Sequence, residues 1–256
     1  MIHLYSLYMG CVVPNLFPEV ELSVRSLLHG IGVEVEDLRG ASCCLPPPLF
    51  GFNSGAWLRV NERNMKLARH DVLTACDECF ASMQDAREIL VGSGSSLPNV
   101  LPLIKLLGDS VGKIKEAASF DVEVRCAIQH SCHLLRPSKV RGVDDARHPR
   151  LVRSVLEAIG CEVVAYEDEL SCCGGSVHDE SDASKELALR KLRNIEASGV
   201  DIVVTTCPHC MKQLLGHGSK LPVLHVAQLC ALALGAPPNK IGLEGLLRLN
   251  GTLRRK

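Results

Sequence analysis

The sequence predicts an α/β fold made of two tandem, pseudo-symmetric repeats, each a small, mainly parallel sheet flanked by helices. Three observations predict it. First, one cysteine pattern, Cys…CysCys…CysxxCys, is written twice: Cys11, Cys43-Cys44 and Cys76/Cys79, then Cys132, Cys172-Cys173 and Cys207/Cys210. Matching positions (11 and 132, 43 and 172, 76 and 207) are offset by 121, 129 and 131 residues, the drift of a repeat with small insertions. Second, strand-like segments alternate with helical ones, the signature of a parallel α/β layer. Third, the cysteine groups fall where strands end, and open parallel sheets hold their ligands beyond the carboxyl ends of the strands. The 256 residues divide into repeats at 1–118 and 119–256.

The elements follow in order. His3 to Met9 reads as a strand delivering the chain to Gly10-Cys11. Pro18 opens a helix with Glu19 and Glu21 in its first turn, where acids complement the positive helix end, and Val20, Val24, Leu27, Leu28 and Ile31 recur at helical spacing. Gly30 and Gly32 stop it, and Val33 to Leu38 alternates as a strand before Cys43-Cys44. Pro46-Pro47-Pro48 makes a rigid loop. A helix is expected from Ser54 to His70 with Trp57, Val60, Leu67 and Ala68 inward, then a brief strand, Asp71 to Ala75, that turns into a helix at Cys76. Gly92 to Ser96 is a flexible break, and Val100–Leu107 and Val111–Ala118 read as helical connectors.

The second half repeats the plan. Val122 to Gln129 is strand-like and leads to Cys132; Leu151, Val152, Val155, Leu156 and Ile159 form a helix stripe closed by Gly160; Glu162 to Tyr166 is the strand before Cys172-Cys173. Ala188, Leu192 and Ile195 mark another helix, closed by Gly199, and Val200 to Thr206 is a strand ending at Cys207. Val223-Leu224-His225-Val226 corresponds to Val100-Leu101-Pro102-Leu103.

Composition narrows the function. With 46% hydrophobic and 22% charged residues the chain can bury a core, and a net charge of −1 lacks the excess of Lys and Arg that nucleic acid requires. The basic end, Arg248 with Arg254-Arg255-Lys256, reads as a solvated tail. The N-terminus has no cationic region or small-residue cleavage site, and the longest apolar run, Leu221 to Ala236, carries His225 and Gln228 and falls short of the roughly 20 residues that span a bilayer. A cytoplasmic location is expected. Thirteen cysteines, an odd number in a chain without an export signal, argue for metal ligation over a disulfide framework.

CxxC alone is ambiguous among zinc, iron–sulfur and redox sites. The adjacent pair says more, because neighbouring side chains on extended backbone point to opposite sides and reach different irons of a multinuclear cluster more readily than one small ion. Five thiolates also exceed the four of a Cys₄ zinc site or a simple cubane. An enlarged, open iron–sulfur cluster in each repeat would use all five.

With its ten cysteines in register, and with Cys132-His133-Leu134-Leu135-Arg136-Pro137 and Cys172-Cys173-Gly174-Gly175, the chain resembles the B subunit of heterodisulfide reductase over nearly its whole length. The resemblance implies that Cys11, Cys43, Cys44, Cys76 and Cys79 hold one non-cubane [4Fe-4S] cluster, and Cys132, Cys172, Cys173, Cys207 and Cys210 the other. It implies reduction, or reversible formation, of a disulfide between the two, with electrons from a ferredoxin-like C subunit and a flavoprotein A subunit. No dinucleotide-binding fingerprint and no CxxCxxCxxxC run occurs in the chain. Leu45-Pro46 stands where the second repeat has Gly174-Gly175, and implies a differently shaped first loop; Pro102 stands where the second repeat has His225.

Three rivals remain at this point: an electron-relay subunit of a 2-hydroxyacid or glycerol-3-phosphate dehydrogenase complex, a zinc-stabilised interaction module, and a thiol–disulfide oxidoreductase working through bare CxxC pairs. Around the ligands, His133 and Arg136 are candidates to bind an anionic substrate or to brace a loop, and His209 to tune a cluster or face solvent. Cys126, Cys161, Cys230 and His225 read as core residues.

Overall fold

The computed structural model describes residues 4–46, 53–176, 181–245 and 252–256. Two four-stranded parallel sheets form the frame. The first, in the order β2-β1-β3-β4, comprises β1 (Leu4–Tyr8), β2 (Glu34–Asp37), β3 (Val72–Thr74) and β4 (Val100–Pro102). After β5 (Phe120–Val122), the second runs β7-β6-β8-β9, with β6 (Arg125–Gln129), β7 (Glu162–Val163), β8 (Ile202–Thr205) and β9 (Val223–His225). The strand order is the same in both, so the cysteine repeat is a repeat of architecture.

Helices fill the crossovers. In the first repeat these are α1 (Val12–Leu16), α2 (Pro18–Gly30), α3 (Ser54–Lys66), α4 (Asp77–Gly92), α5 (Leu103–Asp109) and α6 (Val111–Ala117). In the second they are α7 (Cys132–Leu135), α8 (Ser138–Arg141), α9 (Leu151–Ala158), α10 (Asp182–Ala197), α11 (Pro208–Gly216) and α12 (Val226–Ala233). The sequence accounts for α2 closely: Pro18 occupies its first turn with Glu19 and Glu21, and Val20, Val24, Leu27 and Leu28 form the buried stripe.

The repeats do not stand apart. Helix α2 packs on α12 of the other repeat, and α9 packs on α5, so each repeat lends the helix after its fourth strand to the first long helix of its mate. One continuous apolar core results, running from Leu27, Leu73 and Leu107 to Leu156, Val204 and Leu229. Shared burial of this kind is the main favourable term holding the halves together.

Several expectations are corrected. Val100–Pro102 is the edge strand of the first sheet, and only Leu103–Asp109 of that segment is helical, because Pro102 ends the ladder and pre-sets the chain to enter a helix. The segment 122–129 is split between β5 and β6, and Glu162–Tyr166 keeps only two strand residues. Helix α3 ends at Lys66; Leu67 is exposed, while the buried face consists of Trp57, Asn61, Asn64 and Met65. The basic C-terminus is no loose tail: β10 (Leu253–Arg255) pairs antiparallel with β5, and Arg254 and Lys256 form ion pairs with Asp121. Arg248 and Pro47-Pro48 lie outside the described residues.

Candidate iron–sulfur site

The cysteines gather at the carboxyl ends of the strands. Cys11 follows β1 and precedes α1, Cys76 follows β3 at the start of α4, and Cys132 and Cys207 take the same places after β6 and β8. In the first repeat the Cys11 and Cys43 sulfurs are 3.7 Å apart and those of Cys44 and Cys79 are 3.4 Å apart. In the second the corresponding pairs, Cys132/Cys172 and Cys173/Cys210, are 3.9 and 3.4 Å apart. The adjacent cysteines thus hold different partners: the first of each pair meets the single cysteine, and the second meets the CxxC helix. Five sulfurs are strung along one path in each repeat. Among the described residues no three His, Cys, Asp or Glu side chains converge as a single metal ion requires.

Both CysCys loops are held alike. The backbone N–H of Leu45 donates to Cys43 Sγ at 3.4 Å, and that of Gly174 to Cys172 Sγ at 3.3 Å. Leu45 at φ 51° and Gly174 at φ 89° both lie in the left-handed region, so the turn recurs although the residue differs. The expected difference in loop shape is absent at this position. Gly174 has no freedom to be otherwise, since a Cβ there would stand 2.5 Å from the Ser184 carbonyl oxygen. Beneath the loops, Ser82 donates to the Cys44 carbonyl and Ser184 to that of Gly174.

The thiols are not equivalent. A hydrogen bond with Cys44 lowers the pKa of Cys43, and bonds with Cys132 and Cys173 bring Cys172 down to about 2. Cys44 and Cys173 are pushed up to about 12, chiefly by those same neighbouring sulfurs. Cys76 is drawn down to about 7 by sulfur contacts from Cys207 and Cys79. That Cys76–Cys207 contact joins the two sets directly. Thiolates are the form that binds metal, and soft, mutually adjacent sulfurs with backbone N–H support suit an iron–sulfur body. The donor set fits such a group.

The seam between the sets carries charge that sequence reading overlooked. Glu78, 5% exposed and inside the first CxxC, faces His133 Nδ1 at 3.5 Å and His209 Nδ1 at 3.8 Å, and accepts from Ser176. Burial would raise its pKa, but the His133 hydrogen bond and the His209 charge outweigh burial and hold the carboxyl below its ordinary range. His133 is raised in turn by Glu78 against its own burial. Asp77, equally buried, accepts from Thr206 of the other repeat, and burial raises it well above a normal carboxylate. The signal available was position: residues inside a CxxC at a helix start cannot avoid the site. Arg141 adds a further tie, its buried guanidinium gripping Asp85 across the repeats.

The remaining candidates are dispersed. Arg136 is exposed and donates to the Leu170 carbonyl at 3.2 Å, on the rim of the second set and away from Glu78. His225 is buried, its ring nitrogens engaging the Ala227 N–H and the Thr206 carbonyl, as a core histidine should. Cys126, Cys161 and Cys230 are buried in the core.

Comparison with known proteins agrees with this geometry. The CCG cysteine-rich domain family matches residues 5–84 and 126–215. The B subunit of the ferredoxin:CoB-CoM heterodisulfide reductase of Methanosarcina mazei is 34% identical, covering 93% of this chain and 92% of that protein. The 8-methylmenaquinol:fumarate reductase membrane anchor subunit of Wolinella succinogenes is 26% identical over 94% of this chain and 95% of its own length. Among the described residues here, no helix is long and apolar enough to cross a membrane. A hypothetical protein from Helicobacter pylori has the same fold, with a TM-score of 0.70 at 11% identity; it aligns with 94% of this chain, which spans about half (51%) of that structure. Two cysteine-rich domains in tandem, and a third of all positions shared with a heterodisulfide reductase B subunit over nearly full length, place the chain in that B-subunit family of oxidoreductase components.

Proposed function

We propose that this chain is the catalytic iron–sulfur subunit of a heterodisulfide reductase-like complex, reducing, or in the opposite direction forming, a disulfide bond. The observation that carries the reading is the meeting of two matched five-sulfur sets at one seam, Cys76 against Cys207. Cys11, Cys43, Cys44, Cys76 and Cys79 would hold one non-cubane [4Fe-4S] cluster, and Cys132, Cys172, Cys173, Cys207 and Cys210 the other. When bound, such clusters supply electrons singly, and a disulfide takes up two, with two protons, to become two thiols.

The chain's own residues prepare the site in three ways. Cys44, Cys76, Cys79, Cys173, Cys207 and Cys210 are buried and form the floor, whereas Cys11 is exposed and Cys43, Cys132 and Cys172 are half-buried, which leaves the substrate an approach from their side. His133 and His209 both face Glu78, so the seam does not present an unpartnered acid to incoming sulfur anions. Arg136 on the rim offers a cation to an acidic substituent of the substrate. Electrons come from partners, a ferredoxin-like C subunit and a flavoprotein A subunit, in a cytoplasmic assembly. The repeats 1–118 and 119–256 each supply one centre.

The test is anaerobic reconstitution with iron and sulfide, followed by metal analysis. A brown protein with about eight irons per chain is expected if each repeat takes a four-iron cluster. Stoichiometric zinc with negligible iron overturns the reading.

A further inference from the structure

The helices beneath the two sulfur sets correspond in position and differ in charge. Helix α10 passes under the second CysCys loop as α3 passes under the first. Asn64 donates to the Ser42 carbonyl at 2.9 Å, and Asn194 donates to the Glu167 carbonyl at 3.2 Å. These asparagines are 130 residues apart, within the 129 to 131 offset of the flanking cysteines. Three residues earlier, at the same offset of 130, Asn61 of the first repeat corresponds to Lys191 of the second. Asn61 is fully buried and donates to the Cys44 carbonyl at 2.8 Å, and its Oδ1 has no hydrogen-bond partner. Lys191 is 1% exposed. Its Nζ donates to the Asp168 carbonyl and, at 3.2 Å, to the Glu169 carbonyl, and stands 5.1 Å above the Tyr166 ring.

A buried ammonium is costly, and such groups normally sit against a carboxylate. This one does not. Its contacts are two carbonyl oxygens and a ring face, while the Asp168 carboxylate is turned to Arg190. Burial lowers its pKa to about 8, and Cys173 and Cys210 in the thiolate form that binds metal, together with Asp168 and Glu169, favour its charged form and offset part of that burial. With Asp168 paired to Arg190 and Glu169 to His130, the ammonium has no carboxylate of its own, and Cys173 and Cys210 are among the groups whose negative charge it senses. A fixed cation close to a redox centre stabilises the more negative, reduced state, and the low local dielectric strengthens the effect.

We infer that Lys191 is a positioning charge that makes the two centres unequal, raising the reduction potential of the centre held by Cys173 and Cys210 above that of the first repeat. Electrons then settle first in the second repeat, and the first repeat holds the more strongly reducing one. This inference rests on the proposed function, since it requires a redox centre in each repeat.

The experiment is a spectroscopically monitored redox titration of the reconstituted full chain, with Lys191→Gln, Lys191→Arg and Asn194→Ala beside the parent. The parent should titrate at two separate potentials. Lys191→Gln keeps a donor for the carbonyls and drops the charge. It should lower only the higher potential, changing that centre's reduced-to-oxidised ratio about tenfold at fixed ambient potential, which is 59 mV for a one-electron couple. Lys191→Arg should retain most of the separation. Asn194→Ala, which loosens the same loop without touching charge, should leave both potentials in place. Cys44→Ser, which damages the first set, assigns the surviving potential. If Lys191→Gln does not fold, Lys191→Met serves, with iron content confirming that both centres are loaded. Unchanged potentials in a fully loaded charge-removing variant, an equal shift at both centres, or an equal shift in Asn194→Ala overturns the inference while leaving the proposed function intact. A parent chain that loads no iron–sulfur centre sinks both.

Discussion

Around its adjacent cysteines the first repeat has Leu45 and Asn61 where the second has Gly174 and Lys191, and inside its CxxC it has Asp77-Glu78 where the second has Pro208-His209. The backbone does not follow these changes. Strand order, left-handed turn, N–H to sulfur bond and sulfur order are common to both repeats. What diverges is charge, and the seam shows why. Near an approximate two-fold axis, equivalent residues meet one another. Cys76 is within side-chain hydrogen-bonding reach of its mate Cys207, and Glu78 lies 3.8 Å from its mate His209. Two glutamates there would repel in a buried site; a glutamate and a histidine attract. Duplication supplies the matched sulfur sets, and divergence at the axis makes their junction electrostatically tolerable.

The strongest test of equivalence acts on the sulfurs. Cys43→Ser and Cys172→Ser each remove the first cysteine of the adjacent pair, a thiol whose pKa is lowered. Each variant should lose disulfide reduction by at least about 100-fold while keeping its fold and roughly half of its iron, since the untouched repeat retains its ligands. Activity is measured with an artificial donor, so that partner docking plays no part. A relay subunit predicts a different outcome: only one centre is terminal, and damage to the other merely slows turnover. Substantial activity in either variant would leave one catalytic centre and end the symmetric reading.

A smaller effect separates the repeats by pH. His225 caps α12 from the end of β9, where the first repeat uses Pro102, which cannot titrate. Burial first, only partly opposed by its bonds to the Thr206 and Ala75 backbone, depresses His225 to about 4. An unfolded histidine titrates near 6.5, so the unfolded chain binds this proton first as pH falls. Stability from this residue is complete above about pH 6.5 and drains away down to about pH 4, with about 2 kcal/mol lost between pH 7 and pH 5. Urea unfolding of the parent and of His225→Asn, which keeps a capping side chain, measures it. The pH-dependent difference between them should be of that size, and identical pH profiles would show that His225 is not held neutral.

Much of this is legible in the sequence, for identifiable reasons. Cysteine register and strand-helix alternation are local patterns, so the two sheets, the α2 stripe and the ten sulfur positions can be read from spacing. Edge strands are harder. Val100–Pro102 looks helical beside Leu103–Leu107, and only its pairing with β3 makes it a strand. Glu78 escapes notice because its partners, His133 and His209, are 55 and 131 residues away along the chain and meet it only through the fold. Lys191 is hidden for another reason. On a helix whose other lysine, Lys185, is exposed, nothing in sequence marks the one whose ammonium points under a loop.

The finest distinction concerns Leu45, and it predicts an inversion of the usual order of substitutions. A left-handed backbone costs a residue with a Cβ about 1–2 kcal/mol, which glycine avoids. Leu45 bears that cost at φ 51° and recovers part of it by packing, half-buried, against the core. Leu45→Ala would lose the packing and keep the strain. Leu45→Gly would lose the same packing but shed the strain, at a cost of roughly 0.5–1 kcal/mol in added freedom of the unfolded chain. Glycine should therefore be the milder change by about 0.5–1 kcal/mol, the reverse of its ranking in helices and strands. Urea midpoints of the two variants, measured on the same preparation of loaded protein, decide it. If alanine proves equal or better, the turn after Cys44 is not held left-handed in solution, and the correspondence between Leu45 and Gly174 fails at the one point where both loops steer an N–H onto a sulfur.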